Sequence, residues 1–138
     1  MSTPILLALL ALVTHGLAMF FWKVAGSSRS YGPSYMIVES VAYAAVGVAI
    51  HLFQRQRFDL GPRMMGLAVI GGIIAGIGFL GLFLAFRLGG EGSVVFPIAG
   101  LGVIVAVVLA VIVFKEPITA TKLLGFGFGV TSIVLLSR

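Results

Sequence analysis

Apolar residues fill five long runs, approximately Pro4–Trp22, Tyr35–Phe53, Met64–Phe86, Gly92–Phe114 and Ile118–Leu136, with short polar stretches between them. A hydrocarbon layer about 30 Å thick needs roughly 20 helical residues at a rise of about 1.5 Å each, and every run comes close to that. Lipid offers no partners to backbone N–H and C=O groups, so a spanning segment is either a helix or part of a closed barrel. Barrel strands would alternate apolar and polar residues, whereas these runs are continuously apolar. The pattern predicts an all-α integral membrane protein, with five transmembrane helices forming a single domain over residues 1–138.

The connections are brief. Lys23–Ser34 holds Gly, Ser and Arg; Gln54–Arg63 reads QRQRFDLGPR and closes on Gly61-Pro62; Arg87–Glu91 turns on Gly89-Gly90; Lys115-Glu116-Pro117 is barely a loop. Pro117 suits the first position of the fifth helix, where its missing N–H costs nothing, and Glu116 would lie at that helix's positive end. Connections this short leave no space for an active site outside the membrane. The first run lacks a positively charged leader and exceeds the roughly 7–15 apolar residues of a signal peptide, so it is expected to remain as a helix. Ala25-Gly26-Ser27 supplies the alternative of a cleavage site.

Composition sharpens this picture. Of 138 residues, 60% are hydrophobic and 9% are charged, against roughly 25% charged in soluble domains. A mean hydropathy of +1.22 over the whole length leaves no room for a separate soluble domain. A soluble enzyme, a nucleic-acid-binding domain and a disordered tail are all disfavoured. The net charge is +5, but the nine basic residues form no stripe. They lie between the runs, where positive charge meets anionic headgroups, so the expected partner is the lipid bilayer and not nucleic acid. Without Cys there is no disulfide, thiolate metal site or Cys nucleophile. The chain also lacks a phosphate-binding Gly loop, a His pair with a carboxylate at metal spacing and a Ser-His-Asp set. No enzyme activity, cofactor or metal is expected.

Five spans would put the termini on opposite faces. Arg55, Arg57, Arg63, Lys115 and Lys122 then fall on the N-terminal side, and Lys23, Arg29, Arg87 and Arg138 on the other, five against four. Lys/Arg bias sets orientation, so a margin of one specifies it weakly. Either copies insert both ways and pair antiparallel, or a single orientation is fixed by some other influence.

From the third run onward the chain reads LFLAFRLGGEGSVVFPIAGLGVIVAVVLAVIVFKEPITATKLLGFGFGVTSIVLL. This resembles the EamA-type half-repeat of the drug/metabolite transporter superfamily. The family's A-x-x-x-G-like turn corresponds to Ala85–Gly89 and its V-x-P or V-V-P element to Val95–Pro97. Its G-E element falls at Lys115-Glu116, where Lys115 replaces the Gly, and its final Gly-rich helix at Leu124–Gly129. The resemblance is close over the C-terminal half and loose over the first two helices. Most members carry two such five-helix repeats of inverted topology. This chain resembles one alone, which implies a homodimer or a related half-transporter as the capping partner, with the site at the repeat interface near the midplane. The first helix is also similar to that of the small multidrug resistance branch. There, an acid lies eight positions before a terminal Lys; eight before Lys23 stands His15, so drug efflux is not implied.

Glu39 is the sole acidic residue within a run, and an ionisable group there costs roughly 2.5–3.5 kcal/mol or more unless it is paired, protonated or wetted. Tyr35, Glu39 and Tyr43 follow at intervals of four and share a helix face. They are the expected polar wall of a substrate or proton pathway, the alternative being that Glu39 reaches the interface. His15 is the second pathway candidate, or else a hydrogen bond between packed helices; a His15–Glu39 pair would bury both. His51 is expected at the interface, Trp22 and Lys23 as a boundary anchor, and Lys122 snorkelling. Gly72-x-x-x-Gly76 and Gly125-x-x-x-Gly129 suit close helix packing, within one protomer or at a dimer seam. Pro97 removes the bond to the Ser93 carbonyl and, with Gly100 and Gly102, is expected to kink the fourth helix.

These residues imply a transporter or flippase half-unit in the cytoplasmic membrane of a bacterium or archaeon. It would move a small metabolite or lipid-linked amphiphile by alternating access as an antiparallel dimer, with proton coupling at Glu39. The alternatives are a non-transporting accessory subunit of a larger membrane complex and a lipid-scrambling or lipid-binding role.

Overall fold

The computed structural model describes residues 2–28, 30–115 and 117–136, with Lys122, Ile133 and Leu136 described through their backbone. The placements expected for Arg29, Glu116 and Arg138, and for the side chain of Lys122, lie outside the described residues. Among the described residues every regular element is helical: α1 (Thr3–Ser27), α2 (Gly32–Gln54), α3 (Pro62–Arg87), α4 (Gly92–Gly100), α5 (Gly102–Phe114) and α6 (Ala120–Leu136).

By length and composition α1, α2, α3 and the stretch Gly92–Phe114, which comprises α4 and α5, suffice to cross a membrane. The fifth apolar run forms α6, a shorter helix of 17 residues that spans about 26 Å at 1.5 Å per residue. It starts two residues later than its apolar run.

The helices extend beyond the lipid-like runs. α1 continues through Lys23–Ser27, and α2 begins at Gly32, with Pro33 in its first turn. The expected connection Lys23–Ser34 therefore contracts to residues 28–31. Hydropathy marks the part of a helix that suits lipid, whereas the helix itself lasts as long as its backbone bonds do; here the Ser28 N–H closes α1 on the Ala25 carbonyl at 3.2 Å. Two helices end on left-handed residues other than glycine, α2 at Arg55 (φ 51°) and α5 at Lys115 (φ 53°). Gly89 turns the chain after α3 at φ 92°.

The chain divides into two compact units, Met1–Arg87 and Leu88–Arg138. In the first, α1 and α2 run antiparallel and α3 returns alongside α1, its principal neighbour. The core lies where the ends of α1 and α3 meet the start of α2: Phe83 is fully buried, and Phe86 and Ala25 nearly so. This tight contact requires Gly26 and Gly32. A Cβ at Gly26 would lie 2.8 Å from the Phe86 Cβ, and one at Gly32 would lie 2.9 Å from the Phe83 ring.

In the second unit, α6 packs against α4. The fourth span is interrupted at Leu101, between Gly100 and Gly102, where φ is −60° and ψ −18°. The Leu101 N–H there bonds three residues back, to Ile98 at 3.1 Å. Pro97 sits inside α4 one turn earlier. A missing N–H followed by two glycines weakens the helical ladder at this point.

Candidate functional site

The first unit holds Glu39 about two turns into α2. Measured from the α1–α2 connection, Trp22 of α1 lies at a similar depth, since five residues separate it from Ser27 and seven separate Glu39 from Gly32. The antiparallel hairpin thus brings the two level, and the indole Nε1–H of Trp22 donates to Oε1 of Glu39 at 2.6 Å. Both residues are half-buried. A carboxylate away from water needs a donor, an indole N–H needs an acceptor, and each supplies the other.

Aromatic rings surround this bond. Phe79 of α3 meets Trp22 edge-on, with centroids 4.6 Å apart. Tyr35, one turn before Glu39, stacks on Phe79 at 6.1 Å and tilts against Phe83 at the same distance. His15 and Trp22 meet edge to face, centroids 5.7 Å apart. The His15 ring is exposed. The arrangement is a carboxylate fixed by an indole and walled by rings from three helices, suited to holding a charge or a proton away from water.

Of the expected polar wall, Tyr35 and Glu39 turn into the first unit, while Tyr43 is 83% exposed. Residues four apart rotate by about 40° per step on a helix of 3.6 residues per turn, so two steps carry Tyr43 well round the face. Glu39 takes its hydrogen bond from Trp22 rather than from His15. Trp22, expected as a boundary anchor with Lys23, also donates its indole N–H to Glu39. Lys23 itself is half-buried, with Nζ 6.0 Å from the centre of the Phe86 ring. His51 lies near the end of α2, edge-on to Phe58 at 6.0 Å.

The small-residue pairs divide. Gly76 faces Met36 of α2, whose Cε would lie 3.7 Å from an added Cβ, while Gly72, Gly125 and Gly129 meet no described atom within 4 Å. Pro97 lies in the second unit within α4. There, the groove between α5 and α6 is lined by Ile104, Val107, Val111, Leu123 and Phe126 among other apolar residues and carries no polar side chain. This groove is apolar, whereas the Trp22–Glu39 bond lies in the first unit.

Sequence reasoning missed Trp22, Phe79 and the glycines at 26 and 32. For Trp22 a signal existed: an indole bears a donor that burial obliges to find an acceptor, and one acidic residue lies in the neighbouring span. Phe79 is one of 11 phenylalanines, and nothing in the apolar pattern of α3 sets it apart.

Comparison with known proteins supports a membrane transporter. The chain is 28% identical to an uncharacterized protein of Methanocaldococcus jannaschii over 138 residues, covering 99% of this chain and 98% of that one. No solved structure matches it. The pattern that defines the EamA-like transporter family extends over residues 2–138, and the chain, a multi-pass membrane protein, belongs to that family.

Proposed function

We propose that this chain is half of a transporter. In this reading α6 acts as a fifth span, and a second copy or a related half, inserted upside down, completes the body. The assembly moves a small metabolite or a lipid-linked amphiphile across the cytoplasmic membrane by alternating access, with Glu39 carrying the coupled proton. The observation that carries this reading is the Trp22–Glu39 bond: a carboxylate retained inside a span and held by a donor from a neighbouring span. Intramembrane acids are expensive and mark ion or substrate pathways. The five-against-four division of basic residues is compatible with both orientations.

The test is counterflow or uptake in proteoliposomes over a panel of metabolites and lipid-linked sugars, with and without a pH gradient. Glu39→Gln keeps the shape of the side chain but not its titration, so it should abolish the pH dependence. Transport that keeps its pH dependence in this variant eliminates the coupling role.

One observation favours a second reading. Glu39 finds its partner within its own chain, as a structural polar pair would. A non-transporting subunit of a larger membrane complex would then purify with that complex in fixed ratio and show no self-pairs on cross-linking, whereas a half-transporter yields self-pairs or pairs with a related half.

A further inference from the structure

We propose that Trp22 is a positioning residue for Glu39 and that the pair forms a proton-controlled clamp between α1 and α2; this rests on the reading of Glu39 as the proton carrier. α1 packs chiefly on α3 and only sparsely on α2, so the 2.6 Å bond joins two helices that share little other contact. A carboxylate accepts a shorter and stronger hydrogen bond than a neutral acid does. Glu39 in its ionised form holds the indole; once protonated it holds it weakly, and α2 is freer to part from α1. The change of protonation that a coupled carrier needs thereby becomes a change in how two helices are joined.

Other groups could drive the same response. On α1 these are His15, edge-on to Trp22, and Lys23, directed at Phe86. On α2 they are Tyr35, stacked on Phe79, and Tyr43, which is exposed. From α3 the ring against the pair is the uncharged Phe79, with Phe83 against Tyr35 and Arg87 two turns beyond Phe79. His15 is the serious rival, because its ring meets the same indole.

Trp22 is the chain's single tryptophan, so its emission reports this pair alone. The experiment follows indole fluorescence and its quenching by brominated lipid against pH in the full chain reconstituted in vesicles. In the wild type, acidification should produce one step toward greater quenching as the indole is released. Glu39→Gln should lose the step while retaining helical circular dichroism, and His15→Ala should keep it. A step that survives Glu39→Gln, or that disappears in His15→Ala alone, overturns the clamp. A wild-type emission that ignores pH does the same.

Infrared spectroscopy supplies a readout independent of folding yield. In Trp22→Phe, which keeps a ring against Phe79 but no N–H, the carboxylate stretching bands of ionised Glu39, isolated by subtracting Glu39→Gln, should shift. Unmoved bands overturn the bond's role. The clamp and the transport reading fail separately: a Glu39-dependent step together with exchange that Trp22→Phe leaves unchanged in rate and pH profile keeps the bond but removes its control of transport.

Discussion

At the scale of single residues, two glycines set the packing of the first unit. An added Cβ at Gly26 would press on the Phe86 Cβ at 2.8 Å and on the Phe83 carbonyl oxygen at 3.1 Å, neither of which swings aside without moving α3. Gly26→Ala should destabilise the chain by about 1–3 kcal/mol, the range for overpacking, even though alanine is the better helix former. Gly32→Ala should cost less, because its obstacle is a side-chain ring rather than backbone. Gly72→Ala, with open space around it, should be neutral or stabilising by up to about 1 kcal/mol. Thermal unfolding in detergent ranks the three. A loss for Gly72→Ala confined to the assembled form would instead mark that glycine as part of a seam between copies. None of this ranking was legible in the sequence, which displayed the small-xxx-small pairs more plainly than the lone Gly26 and Gly32. Spacing reveals that a close approach is permitted, and only the facing helix reveals where it is used. Glu39 was legible because a lone acid in an apolar run is conspicuous on energetic grounds. Trp22 was not, because an aromatic residue beside a Lys at the end of an apolar run also fits a lipid-interface anchor.

At the scale of elements, the continuous apolar runs mark where the described helices lie, the fourth run holding both α4 and α5 and the fifth the shorter α6. Lipid compatibility and helix formation coincide through most of each run. They diverge at the ends. Where the family pattern has Gly in its G-E element, this chain has Lys115, and the structure places that residue in the left-handed region at φ 53°, the conformation that terminates α5. A glycine at this position would suit a left-handed helix stop. Lys115→Gly should relieve the strained backbone and stabilise the chain by about 0.5–1 kcal/mol in detergent unfolding. The fourth span was expected to bend at Pro97, and its ladder is interrupted at Leu101, between the two glycines. Pro97→Ala restores a bond to the Ser93 carbonyl, and amide exchange over residues 97–104 should slow several-fold if the proline and the glycines weaken the ladder together. Unchanged exchange would assign the interruption to Gly100 and Gly102 alone.

At the scale of the whole molecule, the question is which way up the chain sits. The only described residues below one-tenth exposure with large side chains are Phe83 and Phe86, so most of the apolar surface in each unit awaits lipid or another protein. Because the native chain has no Cys, a single introduced thiol is a clean reporter of sidedness. Phe58, in the connection between α2 and α3, is 77% exposed and is a suitable place for it. If copies insert both ways, Phe58→Cys should react with membrane-impermeant maleimide both in spheroplasts and in inside-out vesicles, in comparable fractions. Removing Arg55, Arg57 and Arg63 reduces the basic count on that side from five to two against four, so the Arg55→Gly/Arg57→Ala/Arg63→Ala background should shift most copies to the orientation with this loop outside. If the functional assembly is an antiparallel pair of identical chains, cross-linked self-pairs and transport should fall together as one orientation becomes scarce. A wild-type reporter labelled from one face alone removes the identical pair, and the capping partner must then be a related half or a larger complex.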